Sequence, residues 1–291
     1  MTNVIKTIKG HSGAIYDACL TGNDLYTTSA DKYTVRWKIN EGVQDKFAVK
    51  SDHSAFKISL IKEDSVLVIG SSKGNLHCID LASKEEIKNL AQHKSSVFSI
   101  TENKVKNEFY TTDAQGYFCA WCCSTLDLKI TLPLACGKIR SCAVNEDGTL
   151  ISLACQDGKI RILETSFFNE IITFKAHHSG VNTTLFNGDY LVSGGKDAFI
   201  RKWKWKSQEL LTEVPAHNFA VYDIISMNNG NYVSASFDKT VKVWNSNLEI
   251  IERLDKKSGG HSHTVNRLVK INQNEFFSIS DDKSVVHWSL V

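Results

Sequence analysis

Four tryptophans in this chain close the same short segment, in which an aspartate is followed by five residues and then by tryptophan. Three weaker copies of the segment depart from it by one or two residues. Successive closing positions are 42, 42, 42, 40, 41 and 44 residues apart, so seven units fill the 291 residues. A period near 40 residues constrains the fold, because each unit must be one supersecondary structure that packs on its neighbours. The closing positions are Trp37, Ile79, Trp121, Leu163, Trp203, Trp244 and Trp288.

Short apolar runs separated by turn residues make up each unit. In the first unit, residues 15–20, 25–29 and 34–38 predict strands a, b and c, and residues 44–50 predict an outer strand d. Four strands in a repeat of this length are typical of one blade of a β-propeller. The sequence therefore predicts an all-β fold, a seven-bladed β-propeller that forms a single domain over residues 1–291. Histidines open six of the units, at His11, His53, His93, His177, His217 and His261.

The last unit lacks its outer strand. Only residues 289–291 follow Trp288, which is too few for a fourth strand. Residues 3–8 precede the first histidine and have the alternation of an outer strand. We therefore predict that the N-terminal strand completes blade 7 and removes an open edge.

Histidine, serine, aspartate and tryptophan recur at matching places in the first, sixth and seventh units. On the basis of these residues the chain resembles the WD40 repeat over nearly its full length. It is also similar to the short stand-alone WD40 proteins of bacteria. The resemblance implies a buried hydrogen-bonded chain from indole to hydroxyl to imidazole to carboxylate, in which each polar group is satisfied. The implied structural network is His11, Ser29, Asp31 and Trp37; His217, Ser236, Asp238 and Trp244; and His261, Ser280, Asp282 and Trp288.

The remaining units depart from this pattern. In the third unit Asp113 and Gln115 stand at the middle places, and in the fifth Gly195 stands where serine is expected. The second unit has Lys73, and the fourth has Cys155, at network positions. We expect the second and fourth blades to depend on apolar packing instead.

Composition excludes several classes of protein. Charge is nearly balanced, with 34 basic and 32 acidic residues, so no basic excess indicates nucleic-acid binding. No apolar stretch is long enough for a membrane span, and the N-terminus lacks the apolar run of a signal peptide, which favours the cytoplasm. The eight cysteines are scattered, and most are expected to pack as small hydrophobes.

Serine, histidine and aspartate recurring together invite comparison with a hydrolase triad. An active site needs one copy, however, and several copies at fixed spacing indicate a structural role. Neither His178 nor His263 has cysteine or carboxylate partners at the spacing of metal ligands. We therefore expect no catalytic residue, no metal and no cofactor.

Function is expected on the top face of the propeller, where WD40 proteins commonly bind peptides or partner proteins. The residues that the resemblance places there are aromatic, basic and polar, a composition favoured at interface hot spots, although some of the rings equally suit packing of the channel wall. We predict a non-catalytic scaffold that binds a protein or peptide, with an acidic partner as one candidate, and that is a monomer outside its complex. The alternatives are a propeller hydrolase or lyase, or a reader of a modified peptide or small molecule in the central channel. The predicted partner-binding residues are Tyr16, Lys57, Phe98, Arg140, Asn182, Lys196, Tyr222, Phe237, Asn266 and Asp281.

Overall fold

The computed structural model describes residues 2–290 and consists of seven four-stranded antiparallel sheets. Each sheet is one blade of a propeller, which confirms the predicted all-β, seven-bladed fold. Met1 and Val291, the ends of the predicted domain, lie outside the described residues. Two 3-10 helices, Asn228–Gly230 and Lys256–Ser258, interrupt the strands. No helix within residues 2–290 is long and apolar enough to cross a membrane.

The strands follow one another in the order expected for the repeat. The first three blades, with β1, contain β1 (Thr2–Lys9), β2 (Ile15–Thr21), β3 (Asp24–Ser29), β4 (Tyr33–Lys38), β5 (Val43–Lys50), β6 (Ala55–Ile61), β7 (Val66–Ser71), β8 (Leu76–Asp80), β9 (Glu86–Leu90), β10 (Val97–Asn103), β11 (Glu108–Asp113), β12 (Tyr117–Cys122) and β13 (Leu128–Pro133). Blades 4 and 5 contain β14 (Ile139–Val144), β15 (Leu150–Cys155), β16 (Lys159–Glu164), β17 (Glu170–Lys175), β18 (Val181–Asn187), β19 (Tyr190–Gly195), β20 (Phe199–Lys204) and β21 (Glu209–Pro215). Blades 6 and 7 contain β22 (Val221–Ser226), β23 (Tyr232–Ser236), β24 (Val241–Trp244), β25 (Ile250–Leu254), β26 (Val265–Lys270), β27 (Glu275–Ser280) and β28 (Ser284–Leu290).

The N-terminal strand closes the ring. Strand β1 pairs with β28 from Thr2 opposite Leu290 to Lys9 opposite Ser284, so it is the outer strand of blade 7, as predicted. The backbone N–H and the hydroxyl of Thr2 also donate to a carboxylate oxygen of Glu252 in blade 6, at 2.8 and 2.6 Å. The strand therefore supplies the missing ladder and also contacts the preceding blade.

The core lies between neighbouring blades. The second strand of a blade is almost wholly buried, as in β7 and β11, whereas the outer strands alternate between exposed and half-buried residues. Tyr26 and Phe47 of blade 1, for example, pack with Leu67 and Ile69 of blade 2. Each blade buries apolar surface on both sides, which is why no single central core is needed.

A β-bulge interrupts the first strand of every blade. The register with the second strand skips one residue near the start of β2, β6, β10, β14, β18, β22 and β26. A bulge leaves the extra residue outside the ladder and redirects its side chain. The seven residues skipped in this way are Tyr16, Phe56, Phe98, Arg140, Asn182, Tyr222 and Asn266.

Candidate functional site

A buried chain of hydrogen bonds links four side chains within blade 6. Trp244 Nε1 lies 2.8 Å from Ser234 Oγ, which in turn lies 2.8 Å from His217 Nε2. His217 Nδ1 lies 3.0 Å from Asp238 Oδ2 in the turn after the second strand. An indole N–H only donates, so the serine oxygen accepts it and the hydroxyl hydrogen goes to Nε2. This assignment places the imidazole proton on Nδ1, where it is donated to the carboxylate. We term these four residues the tetrad.

The hydroxyl of the tetrad is not the one that the resemblance implied. Ser29, Ser236 and Ser280 were expected to join histidine to tryptophan, and this expectation is wrong. Each instead accepts a hydrogen bond from the backbone N–H two residues later in the turn, at 3.2, 3.0 and 3.1 Å. Their hydroxyls therefore stabilise the turn.

Strand register explains the two-residue difference. Trp244 stands directly opposite Tyr232 in the ladder between β23 and β24. Ser234 is then the diagonal neighbour of Trp244 on the same face, within reach of a large side chain. Ser236 is a further step along the strand, out of the line between the indole and His217. The same geometry places Thr27 beside Trp37, at 2.7 Å from its Nε1, and Ser278 beside Trp288.

Five of the seven described blades contain a complete tetrad, two more than the sequence predicted. In blade 3 Asp113 supplies the carboxylate. In blade 5 Gly195 stands at the position of the turn serine, which is not part of the tetrad, and a Cβ there would collide with the ring of His177. The tetrads are His11, Thr27, Asp31 and Trp37; His93, Thr111, Asp113 and Trp121; His177, Ser193, Asp197 and Trp203; His217, Ser234, Asp238 and Trp244; and His261, Ser278, Asp282 and Trp288.

Blades 2 and 4 replace the tetrad. His53 is exposed, and Ser51 holds the position of the tetrad histidine, four residues before the first strand. Buried Ile69 stands at the hydroxyl position of blade 2. In blade 4 the carboxylate Asp157 accepts a hydrogen bond from Arg161 Nη2 at 2.8 Å instead of from histidine. Apolar side chains and one ion pair thus take the place of the network in these two blades.

Burial favours the neutral form of the tetrad histidine in blade 6. Burial lowers the pKa of His217, and the positive charges of Lys242 and Arg253 lower it further, against the opposing effect of Asp238. Burial alone raises the pKa of Asp238, but hydrogen bonds from His217, Thr240 and the backbone hold that pKa well below its usual range. A neutral imidazole next to an ionised carboxylate agrees with the proton positions assigned above.

The seven bulge residues line one depression of about 210 Å³ at the end of the central channel, which we term the mouth. Because every blade contributes the same strand position, one side chain per blade converges on it. Tyr16 and Phe56 meet edge to face with centroids 4.9 Å apart, and Phe56 and Phe98 stack at 6.1 Å. The Arg140 guanidinium lies 5.2 Å from the centre of the Phe98 ring. We term Tyr16, Phe56 and Phe98 the aromatic row.

In blade 2, Phe56 and not the predicted Lys57 occupies the bulge position. The constant offset of five residues between the tetrad histidine and the bulge finds Phe56 when it is counted from Ser51. Lys57 still reaches the mouth from below.

A second predicted set lies in the turns around the mouth. In every blade one turn residue donates its backbone N–H to the carbonyl of the residue just before the first strand, as Lys196 does to Gly180 at 2.8 Å. The side chains of Lys196 and Phe237 are exposed, and Asp281 accepts a hydrogen bond from Asn266 at 2.7 Å. Phe237 contacts Tyr222 and Phe219, with centroids 6.1 and 5.8 Å apart. The structure therefore brings the predicted top-face residues together on one surface.

Four charged side chains form a floor below the mouth. Asp17 lies 3.5 Å from Lys57 Nζ and 3.2 Å from Arg267 Nε, and Arg267 Nη1 lies 3.2 Å from Asp223. The Arg267–Asp17 contact is an ion pair whose angle is not that of a hydrogen bond. Burial lowers the pKa of Lys57, and nearby Asp17 opposes the shift. The space at this level is only about 50 Å³, so a ligand that enters the mouth stops above the floor.

The floor also connects the blades. Asp17 Oδ2 accepts a hydrogen bond from the backbone N–H of Ile58 in blade 2 at 3.0 Å, and Asp223 Oδ2 accepts one from Leu268 in blade 7 at 2.9 Å. These bonds cross from one inner strand to the next, so they fix the spacing of the blades that surround the mouth. The residues of the mouth in these four blades are consequently anchored to one another from below.

Beside the mouth, blades 4, 5 and 6 enclose a hollow of about 310 Å³. Its lining includes three cations, and no aspartate or glutamate is among the residues that line it. We term it the basic hollow. Its polar and charged side chains are those of Lys138, Arg140, Gln156, Ser179, Asn182, Lys196 and Tyr222.

The family model for the WD domain, G-beta repeat, matches residues 168–204 and 208–245. Each match runs from the outer strand of one blade, or the turn before it, through the third strand of the next, and both include a complete tetrad. These two segments are therefore WD40 repeats. The other five blades are evident from the sheet topology.

Relatives of this chain differ in how much of their own length it covers. An uncharacterized WD repeat-containing protein of Schizosaccharomyces pombe is 20% identical over 98% of this chain and 69% of its own length. The nuclear distribution protein nudF of Emericella nidulans is 31% identical over 50% of this chain and 38% of its own length. Apoptotic protease-activating factor 1 of Rattus norvegicus is 27% identical over 52% of this chain, which spans only 12% of that protein.

The serine of the blade 6 tetrad is not placed to act as a nucleophile. Ser234 is fully buried and its hydroxyl is occupied by two hydrogen bonds. Residues 70–74 have the spacing Gly-x-Ser-x-Gly, but they connect β7 to β8 in a hairpin, whereas a nucleophile elbow connects a strand to a helix. Within residues 2–290 no group of three or more histidine, cysteine or acidic side chains is placed to hold a metal ion.

Proposed function

We propose that this protein is a non-catalytic interaction module in the cytoplasm that binds a protein or peptide at the mouth. The observation that carries the proposal is the repeated bulge, which directs one side chain from each of seven blades into a single depression. Bulges of this kind redirect side chains toward functional sites. The polar groups of the tetrads, by contrast, bind one another inside the blades.

The chemistry of the mouth favours an apolar anchor with an acidic neighbour. Tyr16, Phe56, Phe98 and Tyr222 are half-buried, so they offer apolar area that a partner can cover, and Arg140 adds a positive charge at their edge. Aromatic residues and arginine dominate the energetics of protein interfaces. WD40 proteins typically serve as non-enzymatic scaffolds, which agrees with this composition. We propose that the protein is monomeric outside its complex and binds no nucleic acid.

Affinity capture with paired variants tests the proposal. Tyr222→Ala combined with Arg140→Glu removes an anchor and reverses a charge at the mouth, and we expect at least a thirtyfold loss of affinity for the captured partner, from about 2 kcal/mol or more. Leu211→Ala with Lys46→Glu makes matched changes on exposed outer strands and should leave binding within about twofold. Retention of the partner by the mouth variant and its loss by the outer-strand variant would show that binding occurs on the blade edges.

A further inference from the structure

The basic hollow contains an arginine without a counter-ion. Six arginines occur in the sequence, and five of them have a carboxylate oxygen within 4.0 Å. Arg140 has none among residues 2–290; its guanidinium lies instead against the Phe98 ring. Lys138 Nζ lies 5.9 Å from the same ring, also without an ion-pair partner in the described chain. Two cations are thus held against one aromatic face at the edge of an open hollow.

Lys196 faces these two cations from the next blade. It is exposed in the turn after β19 and lines the same hollow, which Gln156, Ser179 and Tyr222 complete with neutral hydrogen-bonding groups. Three like charges without an acid among the lining residues raise the local positive potential, and that potential attracts an anion. Because the walls supply side chains from three blades, the anion would be contacted from several directions.

Apolar surface lies on both sides of the hollow. The aromatic row ends at Phe98, in contact with Arg140. On the other side Tyr222 contacts Phe237, which contacts Phe219, and the last two rings are 48% and 58% exposed. An extended segment that crosses the hollow therefore meets rings before and after the three cations.

We propose that the basic hollow is a subsite for a phosphorylated side chain of a peptide segment that carries apolar residues on both sides of it. The inference rests on the proposed binding function of the mouth. A phosphoryl group carries about −1.5 to −2 charges at pH 7 and three acceptor oxygens, whereas a carboxylate carries one charge and two oxygens. Three separate cationic groups match the three acceptor oxygens of the phosphoryl group in number, and its larger charge needs more of them for balance than the charge of a carboxylate does.

The test uses three degenerate peptide libraries that differ only at one fixed residue, which is phosphoserine, serine or glutamate, with leucine or phenylalanine allowed two positions to either side. We expect wild-type protein to bind the phosphoserine library at least about tenfold more tightly than the glutamate library, by the difference in charge-assisted contacts. Inorganic phosphate should compete with the phosphoserine library, and sodium chloride at the same ionic strength should not, which separates occupation of the subsite from screening.

Matched variants locate the effect. Lys138→Gln with Lys196→Gln should lower affinity for the phosphoserine library at least about tenfold and leave the serine library unchanged. Lys104→Gln, in the turn at the other end of β10, serves as the control, because its side chain is 72% exposed and far along the strand from Phe98. Both variants should keep the unfolding midpoint of the wild type.

Equal binding of the phosphoserine and glutamate libraries, no loss in the double lysine variant, or no binding of any library by wild type would each overturn the subsite. The function of the mouth is judged separately, by capture of the partner with Tyr222→Ala and Arg140→Glu. A partner that is lost in that variant but bound normally by Lys138→Gln with Lys196→Gln would retain the proposed function and refute the phosphoryl subsite alone.

Discussion

The indole Nε1 of Trp244 lies 2.8 Å from the hydroxyl oxygen of Ser234, and Ser236, two residues later on the same strand, binds the turn instead. The two serines are both fully buried, yet they support different parts of the blade. Ser234 joins the second strand to the third and to the histidine of the preceding loop. Ser236 holds the turn that presents Phe237 at the top face.

Replacing these serines separately distinguishes the two roles. Ser234→Ala leaves the indole N–H of Trp244 and Nε2 of His217 without partners in a buried site, and we expect it to lower the free energy of unfolding by about 1 to 3 kcal/mol. It should also move the NMR signal of the Trp244 indole proton. Ser236→Ala should leave that signal in place, because its hydroxyl does not contact the indole. A shift of the signal in Ser236→Ala alone would refute the assignment.

Gly195→Ser tests the tetrad of blade 5 by adding a side chain instead of removing one. Serine at this position would restore the pattern expected from the sequence, but a Cβ there collides with the His177 ring and with Asp197. We expect a loss of about 1 to 3 kcal/mol of stability from overpacking, measured by urea unfolding. Gly195→Ala should show most of this loss, since the first carbon already causes the collision. A more stable serine variant would contradict the packing described for this blade.

The buried histidine of blade 6 predicts a dependence of stability on pH. Burial lowers the pKa of His217 in the folded protein below the value of about 6.5 that it has in an unfolded chain. The unfolded state therefore binds more protons as the pH falls below about 6.5, and stability present above that pH is progressively lost. NMR titration should give His217 a pKa below 6.5, and Lys242→Gln should raise it by removing a nearby positive charge. A wild-type value at or above 6.5 would contradict the neutral tetrad.

Removal of residues 2–8 tests closure of the ring. The deletion removes buried Ile8 and leaves the backbone groups of β28 unpaired along a full edge. Open edges of this kind pair with other chains, so we expect unfolding or oligomers, seen by size-exclusion chromatography and thermal unfolding. Ile5→Lys is the control, because Ile5 lies at the bulge of β1 and is 50% exposed. A monomeric truncated protein with unchanged stability would show that β1 is dispensable.

Much of the fold could be predicted from the sequence, because the repeat spacing and the turn residues specify four strands per unit and a fixed number of units. Closure by residues 3–8 followed from the same count. The tetrad hydroxyls could not be assigned in this way. Ser234 and Ser236 lie two residues apart on the same face of one strand, and only the register of β23 with β24 shows which of them is next to Trp244.

The site was predictable in part for a similar reason. A fixed offset of five residues from the tetrad histidine finds five of the seven bulge residues. Blade 4 has no tetrad histidine, and in blade 2 the visible histidine, His53, is not the structural one, so Phe56 was missed. The charged floor has no repeat signature at all. Asp17, Lys57, Asp223 and Arg267 stand at one position in four blades, and only their convergence in space makes them a group.

Side-chain oxidation footprinting of the protein with and without its captured partner tests the central claim most directly. The half-buried rings of Tyr16, Phe98 and Tyr222 at the mouth, and the exposed ring of Phe237 at its edge, should be protected by the partner. Phe167, which is 80% exposed in the turn between β16 and β17, should be oxidised equally in both samples and serves as an internal control. Protection of the four mouth residues with no change at Phe167 is the predicted result. Unchanged oxidation at the mouth, with protection of Phe167 or of outer-strand residues such as Leu211, would contradict binding at the mouth.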